Sequence, residues 1–369
     1  NGQQRYCVAY TTLTGTETSL GTSGQETWYV VGSDVSYTGL TINGDIHLIL
    51  ADGKTMTITS SDDNGIIVSS SLTIYGQELG TGTLNATGNY GIYSVSGDIT
   101  IIGGTLNATG NYGIYSVSGD ITIIGGTLNA TGNDGKGIYS SGDITIIGGT
   151  LNATGNENGI HSYSGNITIS GGTVTATDNS TGYGIFTHSG NITISGGRVT
   201  ATSENGYGIY SYAGTTTLGW TNATDFIYVS RYYIGTSGTL NIAEGKTFID
   251  EAGYTYSSGT VNASAIAGKT LYPDCVVMKH ITGYGNSTES DHWVFIASPV
   301  AESIAPSEVH NLFPSAGETS NEYDLYRFNQ SSSNGKEWRN WKATTTENHP
   351  DFTSLVNGQG YLYATKETR

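Results

Sequence analysis

Positive charge is scarce in this sequence: 14 Lys and Arg stand against 31 Asp and Glu, a net charge of −17 with histidine neutral. Proteins that neutralise phosphate backbones or lie on anionic bilayers need the opposite balance, and no basic stripe supplies it locally. The composition therefore argues against a nucleic-acid partner and suits cations, neutral or polar glycans, or plain solubility. Cysteine is nearly missing. Cys7 and Cys275 make no disulfide framework, and they can pair only if the N-terminal segment returns to the far end of the chain's repeats. No apolar run approaches the roughly 18 residues of a membrane-spanning helix, so membrane insertion is not expected. Charged residues of all kinds are 12 %, about half the usual share.

Glycine is what the chain has instead, 54 residues of 369, about twice the usual share. Together with few charges this could signal low complexity, but 36 % apolar and 10 % aromatic residues call for a packed fold. The first residue is Asn1 rather than Met, as in a secretory protein whose signal peptide has been removed.

The repeat decides the fold class. Residues 97–118 read GDITIIGGTLNATGNYGIYSVS, and close copies follow at 119–141, 142–164, 165–189 and 190–213, with a partial copy at 82–96. The period is 22 to 25 residues, and its variation falls at one place, between the TLNAT and GIYS blocks. Loops tolerate insertion and strands do not, so that place is a corner. Each repeat holds three short β-prone blocks separated by Gly or Asn. Alternation puts Ile99, Ile101, Leu106, Ala108 and Ile114 inside and Thr100, Thr105, Asn107, Thr109 and Tyr115 outside. One such unit buries too few apolar residues to stand alone, so neighbouring units must share a core. The L-x-x-L-x-L-x-x-N pattern of a leucine-rich repeat is missing. The expected fold is all-β: a right-handed single-stranded parallel β-helix with three short strands per rung, spanning 28–273. Residues 1–27 are expected as an N-terminal segment or cap, and 227–273 as the closing rungs.

Periodicity stops after Pro273. Residues 275–369 hold four aromatic-rich strand candidates, His292–Ile296, Tyr323–Phe328, Trp338–Trp341 and Gly360–Ala364, with a short helix near Pro306–Leu312. They predict an antiparallel β-sandwich-like module. Four strands are few for a sandwich, so the module is expected to be incomplete or completed by a partner chain.

Stacking turns outward positions into ladders at roughly 4.8 Å spacing. Tyr93, Tyr115, Tyr139, His161, Phe186 and Tyr210 form an aromatic row, suited to stacking against a sugar polymer or simply against one another. Asp98, Asp120 and Asp143, continued by Asn166 and Asn191, form a carboxylate row. Carboxylates at rung spacing repel by about 0.9 kcal/mol per pair in water. A hard cation such as Ca²⁺ would relieve this, whereas Asp after Gly can equally cap a turn, as Asn does. Thr and Asn columns starting at Thr105, Asn107 and Thr109 fill a third face, interrupted at Arg198.

The blocks WYVVGSDVSYTG, DIHLILADGKTMTIT, the GDITIIGGTLNATG repeats and FIDEAGYTYSSGTVNASAIAGKTLYP resemble secreted carbohydrate-binding domain-containing β-helix proteins of gut anaerobes. WVFIASPV, YDLYRFNQ and GQGYLYAT resemble a β-sandwich module of surface proteins from Gram-negative gut bacteria. The resemblance covers nearly the whole chain. It implies a secreted or cell-surface location, a polysaccharide-lyase-like solenoid and a glycan partner, in some relatives an acidic plant polysaccharide held with calcium. It carries over no residue roles.

Lyase chemistry needs cation-neutralised carboxylates beside a Lys or Arg base, and glycoside hydrolysis needs two carboxylates flanking the bond. Neither arrangement can be placed on these residues, and the seven histidines show no metal-ligand spacing. The leading expectation is a non-catalytic glycan-binding protein. A structural adhesin or stalk stands second, and a degenerate or active polysaccharide lyase third.

Overall fold

The computed structural model describes residues 7, 9–61, 63–235 and 237–274, and further on 293–297, 304–306, 309, 312, 323–328, 338–341, 354–356 and 359–366. The chain divides into two compact units, Asn1–Val276 and Val277–Arg369.

The first unit is a parallel β-solenoid of about 10 turns. A regular turn contributes three strands, for example Ile99–Ile101, Thr105–Gly110 and Tyr112–Ser116. Each pairs in parallel with its equivalent one turn later: Ile99 with Ile121, Leu106 with Leu128, Ile114 with Ile138. Ile99, Ile101, Leu106, Ala108 and Ile114 are all fully buried, so the alternation in the repeat is realised residue by residue. Burial of each Ile or Leu contributes roughly 1.5–3 kcal/mol, shared with the turns above and below.

The corners explain the glycines. Between the first and second strands, Gly104, Gly126, Gly149, Gly172 and Gly197 have φ from +74° to +90°. A Cβ on Gly126 would sit 2.6 Å from the Gly104 carbonyl oxygen, so neither the conformation nor the space admits another residue. After the third strand an inward-facing serine locks the next corner. Ser116 Oγ donates to the Gly119 carbonyl at 2.7 Å, and Ser162 Oγ lies 2.8 Å from Gly165 O and 2.9 Å from Gly142 O. Those hydrogen bonds are what make a hydroxyl tolerable inside the core.

Both ends of the solenoid differ from the regular repeat. Thr11–Thr12 pairs with Glu26–Val31, and Ser19–Leu20 with Leu40–Ile42, so the segment before residue 28 already forms a turn, with Leu13 and Leu20 in the core. Two-residue strands are too short for alternation to reveal. At the other end the closing segment is antiparallel. Thr239–Asp250 pairs with Thr255–Thr260 and with Lys269–Pro273, which also pairs with Phe226–Val229. The closure is pinned by the buried Asp250 carboxylate, which accepts from the Ala252 and Tyr254 amides at 3.0 and 2.9 Å and from the Tyr256 hydroxyl at 3.0 Å, and pairs with Lys269.

In the second unit Val294–Ala297, Tyr323–Phe328, Trp338–Asn340 and Gly360–Thr365 form one antiparallel sheet. Gly360–Thr365 lies between the first two, and Trp338–Asn340 pairs with Tyr323–Phe328. Tyr323, Leu325, Tyr361 and Tyr363 pack with Leu312 and Leu355 beneath it. A second sheet, which a sandwich requires, is not among the described residues. Cys275 and most of the helix expected at Pro306–Leu312 also lie outside them.

Candidate functional site

The outward side of the third-strand face carries the aromatic row. Parallel pairing places Tyr93, Tyr115, Tyr139, His161, Phe186 and Tyr210 in a single column, which runs on to Tyr233. Successive rings are 4.5–5.8 Å apart between centroids. Tyr115 and Tyr139 are stacked at 20°, and Phe186 and Tyr210 at 11°. Rings that stack along the solenoid axis spend their faces on one another. What this column turns outward is ring edges and hydroxyls, not the flat platforms expected for sugar stacking.

Two further columns flank it. Tyr90 and Tyr112 on one rung pair, and Tyr183 and Tyr207 on a later one, run beside the first row. Their rings touch it at 5.1 Å in Tyr90–Tyr115 and 4.5 Å in Tyr183–Tyr210. On the opposite side Tyr163, His188 and Tyr212 form a stack of their own, at 5.1 and 4.7 Å. Tyr163 is 50 % exposed and Tyr212 43 %. Alternation marks one outward position per strand, so the neighbouring columns escape it: the first precedes a Gly that breaks the alternation, and the second falls just past the strand.

The Tyr115 phenol holds on to its proton. Burial, then the neighbouring hydroxyls of Tyr139, Tyr90, Tyr112 and Tyr93, push Tyr115 up to about 12. His161 behaves differently from its column. It is 7 % exposed, and both ring nitrogens are without a hydrogen-bond partner. Burial, followed by the positive Lys136 and by His188, lowers its pKa to about 3, so the imidazole is neutral. An exposed aromatic position was expected there; a shielded one is found, enclosed by Tyr139, Tyr163 and Phe186. Where the flanking column would place a ring beside His161, the chain has Lys136 and Asn158, paired in register. Lys136 forms an ion pair with Glu157 and lies over the Tyr112 and Tyr139 rings at 5.2 and 5.9 Å.

The carboxylate row has an intramolecular job. Asp98 Oδ1 accepts from the Asp120 amide at 2.8 Å, Asp120 Oδ1 from the Asp143 amide at 2.8 Å, and Asp143 Oδ1 from the Asn166 amide at 2.7 Å. Asn166 and Asn191 continue the series, to the Asn191 and Thr215 amides at 3.0 and 2.8 Å. The Asp-to-Asn change therefore preserves the oxygen that matters. Among the described residues no group of three or more His, Cys, Asp or Glu side chains is assembled as a metal site. The asparagine column is likewise self-satisfied: Asn107 donates to Asn85, Asn129 to Asn107 and Asn152 to Asn129, at 2.7–2.8 Å.

One cluster has no counterpart in the repeat. On the first turns Trp28 stacks on His47 at 4.2 Å and 10°. The two His47 nitrogens reach Tyr75 Oη at 3.0 Å and Glu26 Oε1 at 3.3 Å, and Trp28 Nε1 donates to the same carboxylate at 3.1 Å. Every polar atom of the His47 ring is engaged within the cluster, as in a structural clasp.

Comparison with protein-family models, with curated proteins and with solved structures returns no match, so the reading of these faces rests on their geometry.

Proposed function

We propose that this chain is a non-catalytic glycan-binding solenoid of a secreted or cell-surface protein. One observation carries the reading: an aromatic band with hydroxyls at its edge runs over seven consecutive rungs from Tyr93 to Tyr233, with half-exposed rings at Tyr163, Tyr212 and Tyr233. A contiguous, partly exposed aromatic band of this kind is what interaction faces present. Its ring edges offer apolar contact, and its phenols offer donors and acceptors at a spacing comparable to one sugar unit of an extended chain. The acidic balance of the protein leaves neutral polymers as the better electrostatic match, and the carboxylates of the row already accept hydrogen bonds from neighbouring amides. The resemblance to carbohydrate-binding β-helix proteins points the same way.

A second reading is favoured by a different observation. The aspartate and asparagine columns and most of the tyrosine column satisfy themselves from rung to rung, which is what a stalk or adhesin shaft needs. A binding screen against plant, host and bacterial polysaccharides, run with Ca²⁺ and with EDTA while product release is followed, separates the readings. Binding without products supports the glycan binder, and loss of binding in EDTA restores calcium to the account. New reducing or unsaturated ends indicate an enzyme, and binding to none of the polymers leaves the shaft.

A further inference from the structure

The ring stack of the exposed third column starts at Tyr163 and leaves that ring's outer face bare. Backbone hydrogen bonds put Val117, Ser141, Tyr163, His188 and Tyr212 at equivalent positions of consecutive rungs: each amide donates to the carbonyl of the previous rung's inward residue, Ser141 to Ser116 and Tyr163 to Ser140. From Tyr163 onward the column is a ring stack, with Tyr163 and His188 inclined by only 14°. One rung earlier the side chain is a serine, and the rung before that carries an exposed valine. The face of Tyr163 that looks toward Ser141 therefore has no ring against it.

The size of that gap is set by the rung spacing. Val117 and Tyr163 are two rungs apart, about 10 Å, and one ring in van der Waals contact on both sides needs roughly 7–8 Å. The gap takes a single six-membered ring. Its surroundings are polar at the edge and apolar on the walls. Tyr139 Oη lies 3.3 Å from Ser141 Oγ on one side. Behind it His161 sits between the rings of Tyr139 and Tyr163, at 5.1 and 6.5 Å, more than nine-tenths buried and with neither nitrogen hydrogen-bonded. A buried imidazole with no partner is a standing cost that a ligand hydroxyl between these two rings would remove. Its low pKa keeps it neutral, able to donate from one nitrogen and accept at the other.

We infer that Ser141, Tyr163, Tyr139 and His161 form a single-sugar subsite that takes one neutral pyranose, its apolar face on Tyr163 and its hydroxyls toward Ser141, Tyr139 and His161. This rests on the glycan-binding reading and gives it a fixed anchor, at the end of the third column's ring stack. A planar apolar ring would leave the polar edge unused, and an anionic sugar would add negative charge to a chain of net charge −17.

The test fills the gap from the protein side. Ser141→Tyr extends the stack by one ring, Tyr163→Ala removes the wall, and Thr122→Ala, outward on another face, serves as control. The probes are cellohexaose, laminarihexaose, mannohexaose and maltohexaose, with hexagalacturonate as the anionic comparison, each followed by saturation-transfer NMR and titration on the full chain. Circular dichroism melting verifies that each variant is folded. The expected result is binding of at least one neutral hexamer by the parent and by Thr122→Ala, weakened at least ten-fold in both Ser141→Tyr and Tyr163→Ala. Unchanged binding by a folded Ser141→Tyr overturns the subsite while leaving the glycan-binding function in place. Binding of hexagalacturonate alone overturns the neutral-sugar assignment. Binding of no probe by the parent overturns the functional reading and the subsite with it.

Discussion

The phenol rings of Tyr115 and Tyr139 lie 4.5 Å apart at an angle of 20°, one rung above the other. Their stacking is both a structural bond between rungs and the reason why their faces are closed to a ligand. Tyr139→Ala removes ring contacts worth roughly 0.5–1.5 kcal/mol each, so chemical denaturation is expected to show a loss of about 1–3 kcal/mol. The double variant Tyr115→Ala/Tyr139→Ala is expected to lower polysaccharide affinity as well. Unchanged affinity in a folded double variant would assign the row to the shaft alone.

Asp120 receives the Asp143 amide and donates its own amide to Asp98. Asn supplies the same oxygen without the charge. Asp120→Asn should therefore change stability by less than about 0.5 kcal/mol, helped by relief of the repulsion with its neighbours. Asp120→Ala loses the acceptor and should cost about 1 kcal/mol. Addition of Ca²⁺ is expected to leave the melting temperature of both the parent and Asp120→Asn unmoved; a calcium-dependent rise lost in Asp120→Asn would show that the row binds the ion.

His161 links stability to pH. Its folded pKa, near 3, is depressed below the ordinary value of 6.5, so the folded state binds the proton less well than the unfolded one. Its contribution is therefore fully present above about pH 6.5 and is lost as pH falls from there toward 3, at up to about 1.4 kcal/mol per pH unit. Carboxylates titrate in part of the same window, so the informative quantity is the difference between the parent and His161→Phe. That difference should shift in favour of the variant as pH falls from 6.5 to 4. Parallel stability curves would mean that His161 is solvated.

Ser140 is fully buried, with its hydroxyl 2.9 Å from both the Gly119 carbonyl and the Gly142 amide. Ser140→Ala keeps the volume nearly constant and strands both groups. The expected loss is about 1–3 kcal/mol by denaturant unfolding, against less than about 0.5 kcal/mol for Ser118→Ala on the exposed side of a corner. Equal losses would show that the inward serine is not the corner lock.

The rungs were legible because the repeat presents the same physical problem at least five times. A β-strand alternates with period two, and Ile99 and Ile114 recur in every full copy while Leu106 recurs as Leu or Val, so the inside of the solenoid could be read without coordinates. The ends were less legible. Thr11–Thr12 and Ser19–Leu20 are too short to carry a period, and the closing hairpin of Thr239–Asp250 and Thr255–Thr260 alternates like any other strand pair, so its antiparallel sense could not be seen. In the second unit the four aromatic blocks were recognisable as strands, but not the order in which they pair.

The site was legible as columns and not as surfaces. That Tyr115 stacks over Tyr139 follows from the period alone, since parallel in-register pairing puts identical positions one rung apart. Which way the rings face, whether His161 is open or enclosed, and whether Asp120 turns to a cation or to a neighbouring amide depend on rotamers and on residues two rungs away. Sequence by itself determined the all-β solenoid, its core and its ladders, because hydrophobic alternation and the glycine corners admit no other use of these residues. Only the tertiary structure decided that the ladders satisfy themselves and that a ring-sized gap lies beside Ser141, because ring orientation and side-chain burial arise from packing between turns, which no single turn encodes.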